Sequence, residues 1–268
     1  MNGPARLAGV FAATAAEGRS ALVTYVMAGD PDLAESERLA RACIAGGADI
    51  VELGIPFSDP LADGPVIQRA AERALASGTR LRDVLDAAGS LRSTTETPLV
   101  LMGYLNPILA MGEEAFFAAC RDRGVDAVII PDLLPEASAG IDDCARRNGI
   151  GTVFLVATGT TPARRRQASE AATAFLYLTA VDGVTGVRSN LPPGLIADIG
   201  VLRSESDVPV VVGFGISRPE HVAALNGVAD GIVVGSAIVA IVGEERDSRR
   251  RLEGVRTLVR SLRGSGVA

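Results

Sequence analysis

A chain of 268 residues with 48% hydrophobic content can bury one large core, and an α/β barrel routinely spends about 250 residues on a single domain. The net charge is −6, and the 26 basic residues are scattered apart from Arg164-Arg165-Arg166 and Arg249-Arg250-Arg251. Those runs read as solvated helix faces, so nothing suggests a nucleic-acid footprint. All 26 are arginine, which removes lysine Schiff-base chemistry, and the single histidine, His221, cannot build a two- or three-histidine zinc site. It also argues against a Ser/His or Cys/His nucleophile. Within SRPEHVAAL, His221 reads as a surface helix residue. Cys43, Cys120 and Cys144 lie far apart in helix-like segments and read as buried thiols of a reducing cytosol. With no 18-residue apolar run and no cleavable signal, a soluble cytoplasmic protein is expected.

In chain order, residues 4–17 have helix-forming composition ending at Gly18, ahead of a first strand at Ala21–Ala28 closed by Gly29-Asp30-Pro31. A helix from Pro31 to Ala45 places Leu33, Leu39, Ala42 and Cys43 on one face and stops at Gly46-Gly47. The pattern then repeats. Strands are predicted at Ala48–Ile55, Pro98–Tyr104, Val125–Pro131, Gly151–Ala157, Ala174–Ala180, Val208–Phe214 and Gly231–Val234. The intervening helices are predicted at Gly64–Ser77, Leu81–Leu91, Glu113–Arg123, Pro135–Arg147, Pro162–Ala172, Leu195–Arg203 and Arg218–Leu225, with Glu244–Arg263 closing the chain. Eight strands, each apolar throughout in the manner of strands buried on both faces, alternate with helices. That alternation predicts a single-domain (β/α)8 TIM barrel with an extra N-terminal helix, a doubly wound open sheet being the lesser alternative. Only the tail, 264–268, reads as disordered.

One strand breaks the apolar rule. Glu52 sits inside Ile50-Val51-Glu52-Leu53-Gly54-Ile55, where an unpaired charge costs several kcal/mol. Burial raises a carboxylate's pKa towards neutrality, as a general acid/base working near pH 7 requires. A structural glutamate paired with an arginine is the competing reading. In a barrel, working residues lie at the C-terminal strand ends and the loops after them, which is where Glu52 and the following Asp63 fall. A phosphate site is legible further on. Strand 7 runs into Gly213-Phe214-Gly215-Ile216-Ser217 and strand 8 into Gly235-Ser236-Ala237, where a short helix opening at Ser236 would aim its positive N-terminus at an anion. The glycine loop Gly183-Val184-Thr185-Gly186 after strand 6 suits a lid. These residues predict a barrel enzyme acting on a small phosphorylated substrate by carboxylate acid/base catalysis, and they leave the substrate open.

The stretch ELGIPFSDPLADGPVIQ (52–68) resembles the signature of the tryptophan synthase α subunit family. Its companions follow in order: TYVMAGDP (24–31), LMGYLNP (101–107), GVDAVIIPDL (124–133), GVTG (183–186), GFGIS (213–217) and GSAIV (235–239). The resemblance runs from about Leu7 to Val242. It implies retro-aldol cleavage of indole-3-glycerol phosphate to indole and glyceraldehyde 3-phosphate, with no cofactor on this chain. By the same resemblance Glu52 is the general acid/base and Asp63 accepts the indole N–H. The phosphate is implied against Gly186, Phe214, Gly215, Gly235 and Ser236, and indole among Tyr25, Met102, Ile129, Tyr177, Phe214 and Val233. Thr185 is implied to touch Asp63 on lid closure. Asp59 and an Asn106-Pro107 turn match positions facing a β subunit that carries pyridoxal phosphate, in an α2β2 complex.

Three segments depart from the family pattern: Ala180-Val181-Asp182 before the lid motif, LVATGTTP at 155–162, and PDLLPE at 131–136. The altered lid keeps open a free-standing lyase that releases indole. A separate alternative is a non-catalytic subunit that binds phosphorylated ligand and activates a partner, against which the intact Glu52 and Asp63 argue.

Overall fold

The computed structural model describes residues 3–179, 191, 194–213 and 215–264. Eight parallel strands close into a barrel in the order of the sequence. They are β1 (Ala21–Met27), β2 (Ile50–Gly54), β3 (Leu99–Met102), β4 (Ala127–Ile129), β5 (Gly151–Ala157), β6 (Phe175–Thr179), β7 (Val210–Gly213) and β8 (Gly231–Val234). Around them run α1 (Gly3–Ala16), α2 (Leu33–Gly46), α3 (Pro65–Ala76), α4 (Leu81–Arg92), α5 (Leu105–Met111), α6 (Glu113–Asp122), α7 (Ala139–Asn148), α8 (Pro162–Ala171), α9 (Leu195–Glu205), α10 (Pro219–Leu225), α11 (Ser236–Glu244) and α12 (Ser248–Gly264). No helix among the described residues is long and apolar enough to cross a membrane.

Two apolar layers account for the near-continuous hydrophobicity of the strands. Alternate residues such as Val23, Ile50, Val100, Ile129, Val153 and Val211 fill the barrel interior, while their neighbours Leu22, Val51, Leu101, Val128 and Val212 pack outward against the helices. Leu7 and Phe11 of α1 plug the N-terminal end, where the Phe11 and Phe175 rings meet edge-on with centroids 5.9 Å apart.

Register at that end is fixed by a device repeated four times. The side chain preceding each even strand accepts the N–H of the odd strand beside it: Asp49 from Leu22 (2.8 Å), Asp126 from Leu99 (2.8 Å), Thr173 from Thr152 (2.9 Å) and Asp230 from Val210 (2.8 Å). Each aspartate is also paired with arginine: Asp49 with Arg19, Asp126 with Arg6 and Arg92, and Asp230 with Arg203. A one-residue slip in a parallel strand would exchange its core and helix faces, so these staples protect the alternation on which both layers depend.

Several elements differ from the sequence prediction. Asn106-Pro107 is not a turn but the first turn of α5, where proline's missing N–H costs nothing. The N–H of Leu105 is capped by the Asp132 carboxylate from the loop after β4 (2.9 Å), a partner too distant in sequence to be anticipated. The predicted helix from Pro135 divides into a 3-10 turn at Pro135–Ala137 and α7. The predicted closing helix divides too: Glu244 ends α11, Glu245 is extended, and Asp247 accepts the N–H of Arg250 (2.9 Å) to start α12. Gly264 completes α12 rather than the tail. His221 is buried, not on the surface, because α10 turns His221, Val222 and Leu225 inward together. The three cysteines are buried free thiols, as expected.

Candidate active site

The C-terminal mouth of the barrel holds a pocket of about 470 Å³ lined by Tyr25, Glu52, Asp63, Ile67, Met102, Tyr177, Gly213, Gly215, Val233, Gly235 and Ser236. Strands β1, β2, β3, β6, β7 and β8 all contribute a residue within two positions of their C-terminal ends, so the pocket exists only because the barrel closes.

Glu52 is 1% exposed, and neither carboxyl oxygen has a hydrogen-bond partner among the described residues. Among the described residues the structural reading, a strand glutamate paired with arginine, does not hold: each aspartate of the strand staples has its arginine, and Glu52 has none. Burial, reinforced by the Asp63 charge, pushes the Glu52 carboxyl up to about 8, so it is protonated at neutral pH. Burial also raises Asp63, to about 6, but a hydrogen bond from Tyr104 opposes the rise. Near pH 7 one wall of the pocket thus presents an acid and a carboxylate side by side. Environments that push two carboxyl groups apart in this way assign them different roles.

Asp63 owes its position to its loop. Turn bonds run from Leu61 N–H to the Asp59 carbonyl (2.9 Å) and from Asp63 N–H to the Pro60 carbonyl (3.1 Å). The amide of Gln68 in α3 donates to the Asp63 carbonyl (2.9 Å). The Tyr104 hydroxyl donates to Asp63 Oδ2 (3.1 Å) and accepts the Ala62 N–H (3.0 Å), while its ring stacks on Phe57 at 5.3 Å. Tyr104 is the site residue that sequence reasoning missed. It stood in the quoted LMGYLNP motif, but 41 residues from its partner, and nothing local joins it to Asp63.

Helix α3, which leaves this loop, is clamped from the opposite side by the segment after β1. Asp30, 2% exposed, makes two 2.7 Å bonds to the Arg73 guanidinium, and the Ser77 hydroxyl donates to the Gly29 carbonyl (3.1 Å). Gly29 has φ +88, and a Cβ there would fall 2.1 Å from Thr79 Oγ1, so only glycine allows the approach. The AGDP end of the first motif thus serves the second one mechanically. Helix α3 also packs with Tyr25, Met27 and Val239 in a small apolar cluster, tying β1, α3 and α11 together under the pocket.

Two strand-end glycines make room for two tyrosines. A Cβ at Gly54 would lie 2.0 Å from the Tyr25 hydroxyl, and one at Gly213 would lie 2.4 Å from the Tyr177 hydroxyl. Gly235 caps α11 and Ser236 opens it, as expected, and the helix runs nine residues. Gly215 has φ +68 and faces the same space. The arrangement suits an anion held by backbone N–H groups at a helix N-terminus.

Of the predicted site residues, Tyr25, Glu52, Asp63, Met102, Tyr177, Gly215, Val233, Gly235 and Ser236 come together in this pocket. Ile129 does not line it; fully buried, it belongs to the barrel interior with Val100 and Val153. Phe214, Thr185 and Gly186 lie outside the described residues. Asp59 is exposed in the loop before Asp63, where the Ser58 hydroxyl donates to it, and Asn106 is exposed on α5 with Pro107 half-buried beside it. No group of three or more metal-ligating side chains occurs among the described residues.

This fold and site define a barrel protein with two buried, unequally titrating carboxyl groups and a helix N-terminus in one pocket at its mouth. Comparison with known proteins narrows the class. The chain belongs to the tryptophan synthase alpha chain family, lyases that cleave indole-3-glycerol phosphate in tryptophan biosynthesis, whose family model matches residues 11–264. It is 47% identical to the tryptophan synthase alpha chain of Geobacter sulfurreducens, covering 96% of this chain and 97% of that one. It is 45% identical to that of Rhizorhabdus wittichii, covering 89% of each. Its structure is similar to that of Mycobacterium tuberculosis tryptophan synthase, with a TM-score of 0.91 and 35% identity over 98% of both chains. It is also similar to a tryptophan synthase complex from Pyrococcus furiosus, with a TM-score of 0.85 and 36% identity over 92% of this chain and 99% of that one.

Proposed function

We propose that Glu52 and Asp63 carry the cleavage of indole-3-glycerol phosphate in this chain, working as one domain. The observation that supports it best is the buried Glu52 carboxyl, without a hydrogen-bond partner among the described residues and held protonated beside an ionisable Asp63. Indole's electron-rich ring needs only a proton at its substituted carbon to weaken the bond to the glycerol side chain. Glu52 donates that proton as a general acid, and the charge that develops on the ring is balanced by the Asp63 carboxylate, which accepts the indole N–H. The carbanion-equivalent bond then breaks towards the ring. The adjacent hydroxyl gives its proton back to Glu52 and becomes the aldehyde of glyceraldehyde 3-phosphate. Protons balance, Glu52 ends as it began, and neither a lysine nor a metal enters the scheme.

In the same reading Gly215, Gly235 and Ser236 hold the phosphate, joined by Phe214 and Gly186, while Tyr25, Met102, Tyr177 and Val233 enclose the indole and Thr185 closes over Asp63. The partner is a tryptophan synthase β subunit in an α2β2 complex. Pyridoxal phosphate belongs to that subunit, and the enzyme works in the cytoplasm. Leu61, Leu109 and Leu134, which are 91%, 49% and 54% exposed, follow β2, β3 and β4 at the mouth of the barrel beside Asp59 and Asn106. Large apolar side chains left in water on neighbouring loops favour a docking face over a free-standing lyase.

The test is indole release from indole-3-glycerol phosphate by the purified chain, alone and with a tryptophan synthase β subunit. Weak turnover that rises manyfold with β supports the reading. Strong turnover indifferent to β would replace it with the free-standing lyase, and no turnover in either setting would sink it.

A further inference from the structure

Tyr25 carries a hydroxyl that the cleavage scheme does not use. Its Cα is in register with Glu52 on β2, and its ring reaches past Glu52 so that the hydroxyl covers Gly54. The side chain is 5% exposed and lines the pocket with both carboxyl groups. Among the described residues its one hydrogen-bond partner is the sulfur of Met27, at 3.9 Å. A thioether is a weak acceptor, and a buried phenol ordinarily finds a better one. Yet the strand end has been emptied to admit this hydroxyl: any residue but glycine at position 54 would collide with it. Apolar enclosure of an indole would be served by the ring alone, so the space given to the oxygen calls for its own account.

The titratable groups that face it are Asp63 from the β2–α3 loop, Glu52 from β2, Tyr104 from the end of β3 and Tyr177 from β6. Burial raises the Tyr25 phenol well above its ordinary value, and the Asp63 and then the Glu52 charge raise it further, so it is a donor throughout the working pH range. Asp63 already receives one phenol, Tyr104, on Oδ2. A carboxylate that must stay ionised next to a protonated glutamate gains from a second.

We propose that Tyr25 is a positioning residue for the proton-transfer pair: when substrate fills the pocket, its hydroxyl turns from the Met27 sulfur to the Asp63 carboxylate and keeps Asp63 ionised beside a protonated Glu52. The inference rests on the reading that these two carboxyl groups carry the cleavage.

The experiment measures kcat and KM for indole-3-glycerol phosphate from pH 5 to 9, with the β subunit present, for the parent chain, Tyr25→Phe and Met27→Leu. In Tyr25→Phe the acidic limb of the kcat profile moves upward by about one pH unit, the effect of losing a hydrogen bond to a charged group. The alkaline limb stays in place, and kcat at pH 5 falls roughly five- to tenfold with KM changing less than about twofold. In Met27→Leu the hydroxyl has lost its resting partner, so the acidic limb of kcat/KM, which reports the free enzyme, moves down. Acidic limbs that match the parent in Tyr25→Phe, with only the melting temperature lowered, would overturn the proposal and leave Tyr25 as packing. Should Tyr25→Phe not fold, an unmoved kcat/KM limb in Met27→Leu does the same. A parent chain that fails to cleave the substrate at all removes the underlying reading instead, which keeps the two failures distinct.

Discussion

At the scale of single residues, Glu52 sets a cost in stability against catalytic use. Its folded pKa is raised, so the native chain keeps a proton that the unfolded chain gives up. The stability attached to the group is therefore full below the free-glutamate value of 4.5 and is lost as pH rises through about 8. Glu52→Gln has no such loss. Its kcat falls by at least about 10³-fold with little change in KM, since one residue moves two protons. Thermal unfolding shows it matching the parent near pH 4.5 and melting roughly 3 °C or more above it at pH 8. An inactive variant no more stable at pH 8 would mean that the carboxyl is not held in the environment described. Asp63→Asn keeps a hydrogen-bond acceptor but loses the charge, and its kcat falls nearly as far, about 10²–10³-fold. Both carboxyl groups were legible in the sequence because a charge in an apolar strand and an acid just past its end are local features. Tyr104 was not, since a side chain that returns from the next strand to hold Asp63 leaves no local trace.

At the scale of elements, the site depends on how closely its neighbours approach. Gly54→Ala places a methyl where the Tyr25 hydroxyl sits, at the 2.0 Å separation that only displacement can relieve. The ring must swing into the pocket, so indole release falls more than about tenfold while circular dichroism retains the barrel signature. Unchanged turnover in that variant would show that the ring has another place to go. The strands, the glycine stops and the helix at Ser236 could all be read from period and punctuation. The missed boundaries share a different cause: Asp132 caps α5 from another loop, and the breaks at Ser138 and Glu245 are small bends within segments whose composition stays helical. His221 was misplaced for a related reason, because which face of a seven-residue helix turns inward depends on what it packs against.

Across the whole molecule the two ends of the barrel divide the work. Among the described residues the C-terminal end keeps Glu52 unpaired, while the N-terminal end pairs its aspartates with arginine and uses them to hold strand register. Asp126 is the most enclosed of these, fully buried between Arg6, Arg92 and the Leu99 N–H. Asp126→Ala leaves two guanidinium groups facing an apolar gap and should cost about 3–5 kcal/mol, lowering the melting temperature by roughly 10 °C without changing the pH limbs of the activity. The arginines of these staples looked like scattered charge in the sequence, because their partners lie as much as 120 residues away.

A protonated Glu52 and an ionised Asp63 act together in this site, and the pH dependence of indole release reads both groups at once. Measured as kcat/KM from pH 5 to 9 with the β subunit present, the parent chain should give a bell with limbs near 6 and near 8, the values to which the ligand-free site raises the two groups. In Glu52→Gln the whole profile collapses. A flat profile in the parent chain, or near-parental turnover in Glu52→Gln, would contradict the account.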